Sequence, residues 1–172
     1  MPKYTEIEDA KELQAGDHIS WPTEMLPDVL SHHAIVDAWE GESLFSVIHV
    51  SGGMGDGSAS LGSSALRSSG TPGSNEVCEE IVDLGEHMSN RDLRRYEYKP
   101  GECYEPSEVI KNAKSNIGEF HFDLSKNNCE HFAQLCKTGK KVSHQAECAN
   151  DLLDFTGKLI SAAASGSGAG AA

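Results

Sequence analysis

Asn127-Asn128-Cys129-Glu130-His131-Phe132 places a cysteine where a polar loop turns into a helix. Behind it Phe132, Ala133, Leu135 and Cys136 recur at helical spacing, and Gly139 offers a stop. Asn128 is a good N-cap, which sets Cys129 in the first turn, beside unpaired backbone N–H groups and the positive end of the helix dipole. That setting is expected to lower the thiol pKa and favour the thiolate, the form that attacks carbonyl carbon. A lone cysteine of this kind is ordinarily a packed core thiol. Two upstream histidine runs change that reading.

Ser31-His32-His33-Ala34-Ile35-Val36-Asp37-Ala38-Trp39 and Leu44-Phe45-Ser46-Val47-Ile48-His49-Val50 read as strands, joined by Glu40-Gly41-Glu42-Ser43, a connection of hairpin length. Pairing them antiparallel brings a histidine from each close together. A thiol enzyme needs one imidazole to take the sulfur's proton and a second polar group to fix its tautomer. Alternation along the strand puts His32 and His33 on opposite faces, so only one of them can face Cys129.

Four segments, Gly16-Asp17-His18-Ile19, His32-His33-Ala34-Ile35-Val36, Val47-Ile48-His49-Val50 and Asn128-Cys129-Glu130-His131-Phe132, stand in the order seen in the lecithin:retinol acyltransferase-like family. The chain resembles its phospholipase A/acyltransferase branch over about residues 12 to 145, and that family is related to the NlpC-type papain-like thiol enzymes. The resemblance implies a nucleophile at Cys129, a general base at His32 and an orienting histidine at His49. His33 stands where the family commonly has an aromatic residue and is the alternative base. The family's usual Gly-Asp-Gly hairpin is replaced by the longer Asp37–Ser43 stretch. The resemblance also implies acyl transfer from a glycerophospholipid ester through a thioester, with water, an amine or retinol as acceptor. Amides at the helix start, at Asn128 and Cys129, would serve the oxyanion. An NlpC-type peptidase or amidase would use the same three residues, and a non-enzymatic interaction module could keep the same fold.

The expected class is α+β: a small antiparallel sheet packed against the cysteine-bearing helix. The resemblance sharpens this to a circularly permuted papain-like fold. Residues 1–11 read as an acidic lead-in, 12–148 as the domain, and 149–172 as a segment ending in a flexible Ala/Gly/Ser tail. Within the domain, 51–75 is a Gly/Ser-rich loop and a candidate lid, although a loose surface insertion describes it better. Further strands are expected over Gly16–Trp21, Glu76–Leu84 and Phe120–Leu124. A helix is expected from Pro106, with Val109, Ile110, Ala113 and Ile117 on one face.

Fourteen basic against 27 acidic residues leave a net charge of −13, which disfavours nucleic acid and broad attachment to anionic lipid. Contact with a membrane surface is expected to be transient. Five cysteines without paired spacing, and no apolar leader after Met1, suggest a cytoplasmic, reducing setting with no transmembrane segment. No cofactor is expected and no metal. Cys129, Cys136, His144 and Cys148 are soft donors close in sequence, but seven residues of helix hold the first two about 10 Å apart. Cys78, Cys103, Cys136 and Cys148 are expected to be structural or inert thiols, and His131 a helix-surface or supporting residue.

Overall fold

The computed structural model describes residues 3–23, 30–51, 75–123, 125–148, 150, 151 and 154. Seven strands form one antiparallel sheet: β1 (Tyr4–Glu6), β2 (His18–Pro22), β3 (Ser31–Gly41), β4 (Leu44–Ser51), β5 (Glu76–Asp83), β6 (Arg94–Tyr96) and β7 (Gly118–Glu119). Their spatial order is β1-β6-β2-β3-β4-β5-β7. Helices among the described residues include α1 (Gly85–Asn90), α2 (Pro106–Ser115) and α3 (Cys129–Thr138), with a 3-10 turn at Ala10–Glu12. The class is therefore α+β.

Alternation along β3 and β4 divides the core in two. Ala34, Val36, Phe45 and Val47 face a cluster completed by Ile7, Leu13, Ile19, Trp21, Val82, Leu84, Met88 and Leu93. Ile35, Ile48 and Val50 face the opposite way, where α3 lays Phe132, Ala133 and Cys136 on the sheet and α2 adds Val109 and Ala113. The central hairpin is buried on both faces, which fixes its register. Ala34 stands opposite His49 across β3 and β4, and His49 opposite Cys78 across β4 and β5.

The hairpin, the strand after the Gly/Ser-rich stretch and the start of α2 lie where the sequence pattern put them, but Ile117, expected on the packed face of α2, lies beyond its end and is exposed. The strand expected at Phe120–Leu124 does not follow the pattern: β7 is confined to Gly118–Glu119. Phe120 and Phe122 pack on the α3-side cluster as side chains of an irregular segment. Asp123 then ends any extension, because its carboxylate accepts from the amides of Ser125 and Lys126. Leu124, the loop over 52–74 and nearly all of the C-terminal tail lie outside the described residues. The acidic lead-in contains β1, which pairs with β6, a strand too short to show in the sequence pattern. Among the described residues no helix is long and apolar enough to cross a membrane.

Candidate active site

Asn128 caps α3. Its side chain accepts from the His131 amide at 3.0 Å, and its own amide donates to His131 Nδ1 at 3.2 Å. This reciprocal capping box explains His131: the imidazole takes the part usually played by a glutamate. Gly139, at φ +72°, closes the helix in the left-handed conformation. Cys129 is thereby fixed in the first turn.

A second network pins that turn to the rest of the chain. Buried Glu130 accepts from Ser143 Oγ at 2.7 Å and from the Gln145 amide at 2.9 Å. Asn128 Nδ2 donates to the same Ser143 oxygen. The Gln145 side chain, in turn, accepts from the Ser31 amide at 2.7 Å, and the Ser31 carbonyl receives the Cys129 thiol at 3.7 Å. Helix start and histidine strand are thus tied to each other through residues 143–145. Sequence reading missed Glu130, Ser143 and Gln145 in this role. A charged residue in the first turn of an otherwise apolar helix was the available signal.

The sulfur meets the backbone edge of β3 at Ser31–His33. Val36 turns its peptide groups toward the β2 side, bonding Gly16 and Asp17, so alternation turns those of Ser31 and His33 toward β4. The pairing of β3 with β4 extends only as far as Ala34, which leaves this short edge for Cys129. His32 projects from one face of it and His33 from the other.

Each histidine heads its own chain. His32 Nε2 lies 2.8 Å from His49 Nδ1, and His49 Nε2 lies 3.2 Å from Glu80 Oε2. His33 Nδ1 lies 2.9 Å from His18 Nε2, and His18 Nδ1 lies 2.6 Å from the Tyr98 hydroxyl. The first chain runs on the sheet face of Ala34 and Val47, where the Trp21 ring packs on His32. The second runs on the α3 face, near Glu130. His33 Nε2 is buried and makes no hydrogen bond. The hydrogen bond of the thiol goes to the Ser31 carbonyl rather than to an imidazole.

Electrostatics follow burial. Desolvation, then the neighbouring His49 and His33, push His32 well below the ordinary imidazole value, so it is neutral at pH 7. Burial also lowers His33, to about 4, against the opposing pull of Glu130. Burial acts on His49 in the same direction, but hydrogen bonds that the ring donates to Cys78 and Glu80 outweigh it and hold that ring up at about 9. The thiol departs from the sequence expectation. Burial pushes Cys129 up to about 11, outweighing the amides of His33, Glu130 and Cys129 itself that favour the thiolate. The helix start lowers the thiol pKa as anticipated, but the apolar surroundings raise it more. Cys136, at the buried face of α3, is likewise pushed up to about 12.

The resting arrangement is thus a neutral thiol on the Ser31 carbonyl, with His33 on the sheet face that α3 covers and the His32–His49 pair on the other face. Comparison with known proteins agrees with the motifs. The family model described as lecithin retinol acyltransferase matches residues 11–142, and the chain belongs to that family. It is 40% identical over 78 residues to phospholipase A and acyltransferase 1 of Homo sapiens, a match covering 43% of this chain and 46% of that protein. The aligned part therefore spans less than half the length of that relative.

Proposed function

We propose that this chain is a thiol acyltransferase and phospholipase A that takes acyl groups from glycerophospholipid esters through a thioester on Cys129. The observation supporting the reading is the His32–His49–Glu80 chain, whose His32 follows directly on the Ser31 carbonyl that receives the Cys129 thiol, so that the base must reach the sulfur around the end of β3. Family membership and the likeness to a phospholipase A and acyltransferase support the substrate class. The order His32, His49, Cys129 fits a circularly permuted papain-like domain spanning about residues 12–148.

Proton bookkeeping defines the competent tautomers. Because His49 titrates at about 9, the competent microstate is the one in which it has given up a proton: Glu80 then accepts from His49 Nε2–H, and His49 Nδ1 accepts from His32 Nε2–H. The lone pair of His32 then sits on Nδ1, where it can serve the thiol. Because thiol and imidazole are both neutral at rest, deprotonation accompanies attack, as in general-base catalysis, and no preformed ion pair is needed. His32 Nδ1 takes the thiol proton as sulfur bonds to the ester carbonyl carbon. The oxyanion is met by backbone N–H groups at the helix start, Cys129's own among them. On collapse the alkoxide of the lysophospholipid leaves with the proton from His32. Water or an amine, such as an ethanolamine head group, next attacks the thioester. His32 receives its proton, and the departing sulfur is reprotonated. Water yields a fatty acid, an amine yields an amide.

Intact-protein mass after incubation with a short-chain phosphatidylcholine tests this, with lysophospholipid and fatty acid assayed in the same tube. A gain of one acyl group, or product turnover, that disappears in Cys129→Ala is the expected result. Neither adduct nor product would sink the lipid reading, and hydrolysis of an amide substrate by the same thiol would replace it with a peptidase.

A further inference from the structure

The orienting histidine sits in a second constellation. Cys78 stands directly across from His49 on β5, and Glu80 follows two residues later on the same face of the sheet. A ring nitrogen of His49, the Cys78 sulfur and a Glu80 oxygen all lie within 4.8 Å of one another, and Nε2 is the nitrogen 3.2 Å from Glu80. Cys78 is a free thiol, half-buried like Glu80, whereas His49 is fully buried. We propose that His49, Cys78 and Glu80 form a three-ligand site for a zinc ion, and that its occupancy switches off the acid–base chain of His32.

The donor set selects the ion. One imidazole, one thiolate and one carboxylate make a borderline-soft set that suits zinc and leaves magnesium or calcium poorly served. Tetrahedral zinc needs its donors about 3.5 Å apart. The two β5 side chains, standing at a half-open surface, must draw in by about 1 Å to reach that spacing. Three protein ligands leave the fourth position for water. The outer partner is already built, because His32 Nε2 stands 2.8 Å from the other nitrogen of His49, where a ligating imidazole needs an acceptor.

That partner is the source of the effect. Zinc takes the lone pair on His49 Nε2 and displaces the thiol proton of Cys78, which leaves to solvent. The proton of His49 must then reside on Nδ1, and it is donated to His32 Nε2. His32 is left carrying its proton on Nδ1, the nitrogen that the proposed mechanism needs empty. Metal binding therefore locks the hydrogen-bond chain in the direction that leaves His32 Nδ1 protonated, shutting out the competent microstate without displacing any of its members. The inhibitory half of this proposal rests on His32 acting as the base; the site itself does not.

Cobalt(II) titration of the chelator-stripped full chain reads the site directly, through the thiolate-to-cobalt absorption and the visible bands of four-coordinate cobalt. The expected result is saturation at a single equivalent, displacement by zinc, and loss of the thiolate band in Cys78→Ala but not in Cys129→Ala or Cys148→Ala. Glu80→Gln, a milder change, should weaken cobalt, and His32→Ala should weaken it by about 10- to 100-fold as the outer partner. Circular dichroism checks that each variant is folded. A thiolate band that survives Cys78→Ala, or no band at all, overturns the site. In the second arm, zinc should inhibit acyl transfer by the wild type and require at least about tenfold more metal in Cys78→Ala. Cobalt binding without zinc inhibition overturns the switch. A chain inactive even when stripped of metal would instead indict the catalytic reading, and the cobalt arm would still decide the site.

Discussion

His32 and His33 share a peptide bond but not a face of the sheet, and each is hydrogen-bonded to a different histidine. His32 joins His49 at 2.8 Å and His33 joins His18 at 2.9 Å. The two chains differ in what lies behind them. Behind His49 stands the carboxylate Glu80, which can stabilise a developing imidazolium. Behind His18 stands the Tyr98 hydroxyl, held far above the ordinary phenol range by burial, which stays neutral and stabilises a cation poorly. Catalysis by a general base creates an imidazolium, so the carboxylate-backed chain is the better suited.

Replacing His32 with alanine should therefore abolish acylation of Cys129, slowing it by about 10²- to 10⁴-fold, while His33→Ala keeps much of the rate. Single-turnover acylation followed by mass spectrometry separates the two. The reverse ranking would make the His18-backed chain the catalytic one.

The buried imidazoles also set an acid limit. His33 titrates at about 4 in the folded chain against about 6.5 unfolded, and burial shifts His18 and His32 in the same direction. The unfolded chain consequently binds more protons below pH 6.5, and stability falls as the pH drops from 6.5 toward 4. Stability from these groups is fully present above 6.5. Urea midpoints measured across that window should decline steadily, and His33→Leu should flatten the decline without removing it, since His18 and His32 remain. A midpoint independent of pH between 4 and 6.5 would mean that these rings are not buried neutral.

Much of this was legible in the sequence because the elements carrying it are strongly patterned. Asn128, Cys129 and Gly139 mark the two ends of α3, and the alternation around His32 and His49 specifies a hairpin buried on both faces. What escaped depends on pairing across long separations. Glu80 stands behind His49 only because β5 returns after a long insertion, and Tyr98 reaches His18 across 80 residues of sequence. The thiol pKa escaped for another reason. A helix start is visible locally, but the packing that buries the sulfur is supplied by other elements.

Gly16 illustrates how a motif residue can be structural. It adopts φ +86°, and a Cβ there would lie 2.8 Å from Pro106 Cα at the start of α2. Its carbonyl accepts from the buried Lys137 ammonium at 2.8 Å, at the far end of α3. Gly16→Ala is therefore expected to destabilise by about 1–3 kcal/mol, through left-handed strain together with a backbone clash. Chemical denaturation would detect it as a lowered midpoint, with substrate affinity in the folded fraction unchanged. A neutral outcome would show that α2 can shift away from β2 at no cost.

The resting thiol provides the last test. With Cys129 pushed up to about 11 by burial, only a small fraction of it is thiolate at pH 7. Its alkylation by iodoacetamide should accordingly be slow at neutral pH and keep rising through pH 9 without a plateau. Papain-like sites that hold a preformed thiolate–imidazolium pair behave oppositely, because their sulfur is already ionised well below neutrality. Cys148 is exposed, and Cys78 and Cys103 are half-buried, so the label on Cys129 must be read by peptide mapping. A plateau below pH 8 at Cys129 would mean that His32 already holds the thiol proton in the free protein. Attack would then start from the ion pair, and the concerted proton transfer proposed above would be wrong. Continued rise with pH, alongside efficient acylation at pH 7, would show that the proton leaves sulfur only when an ester carbonyl is present to receive the electrons.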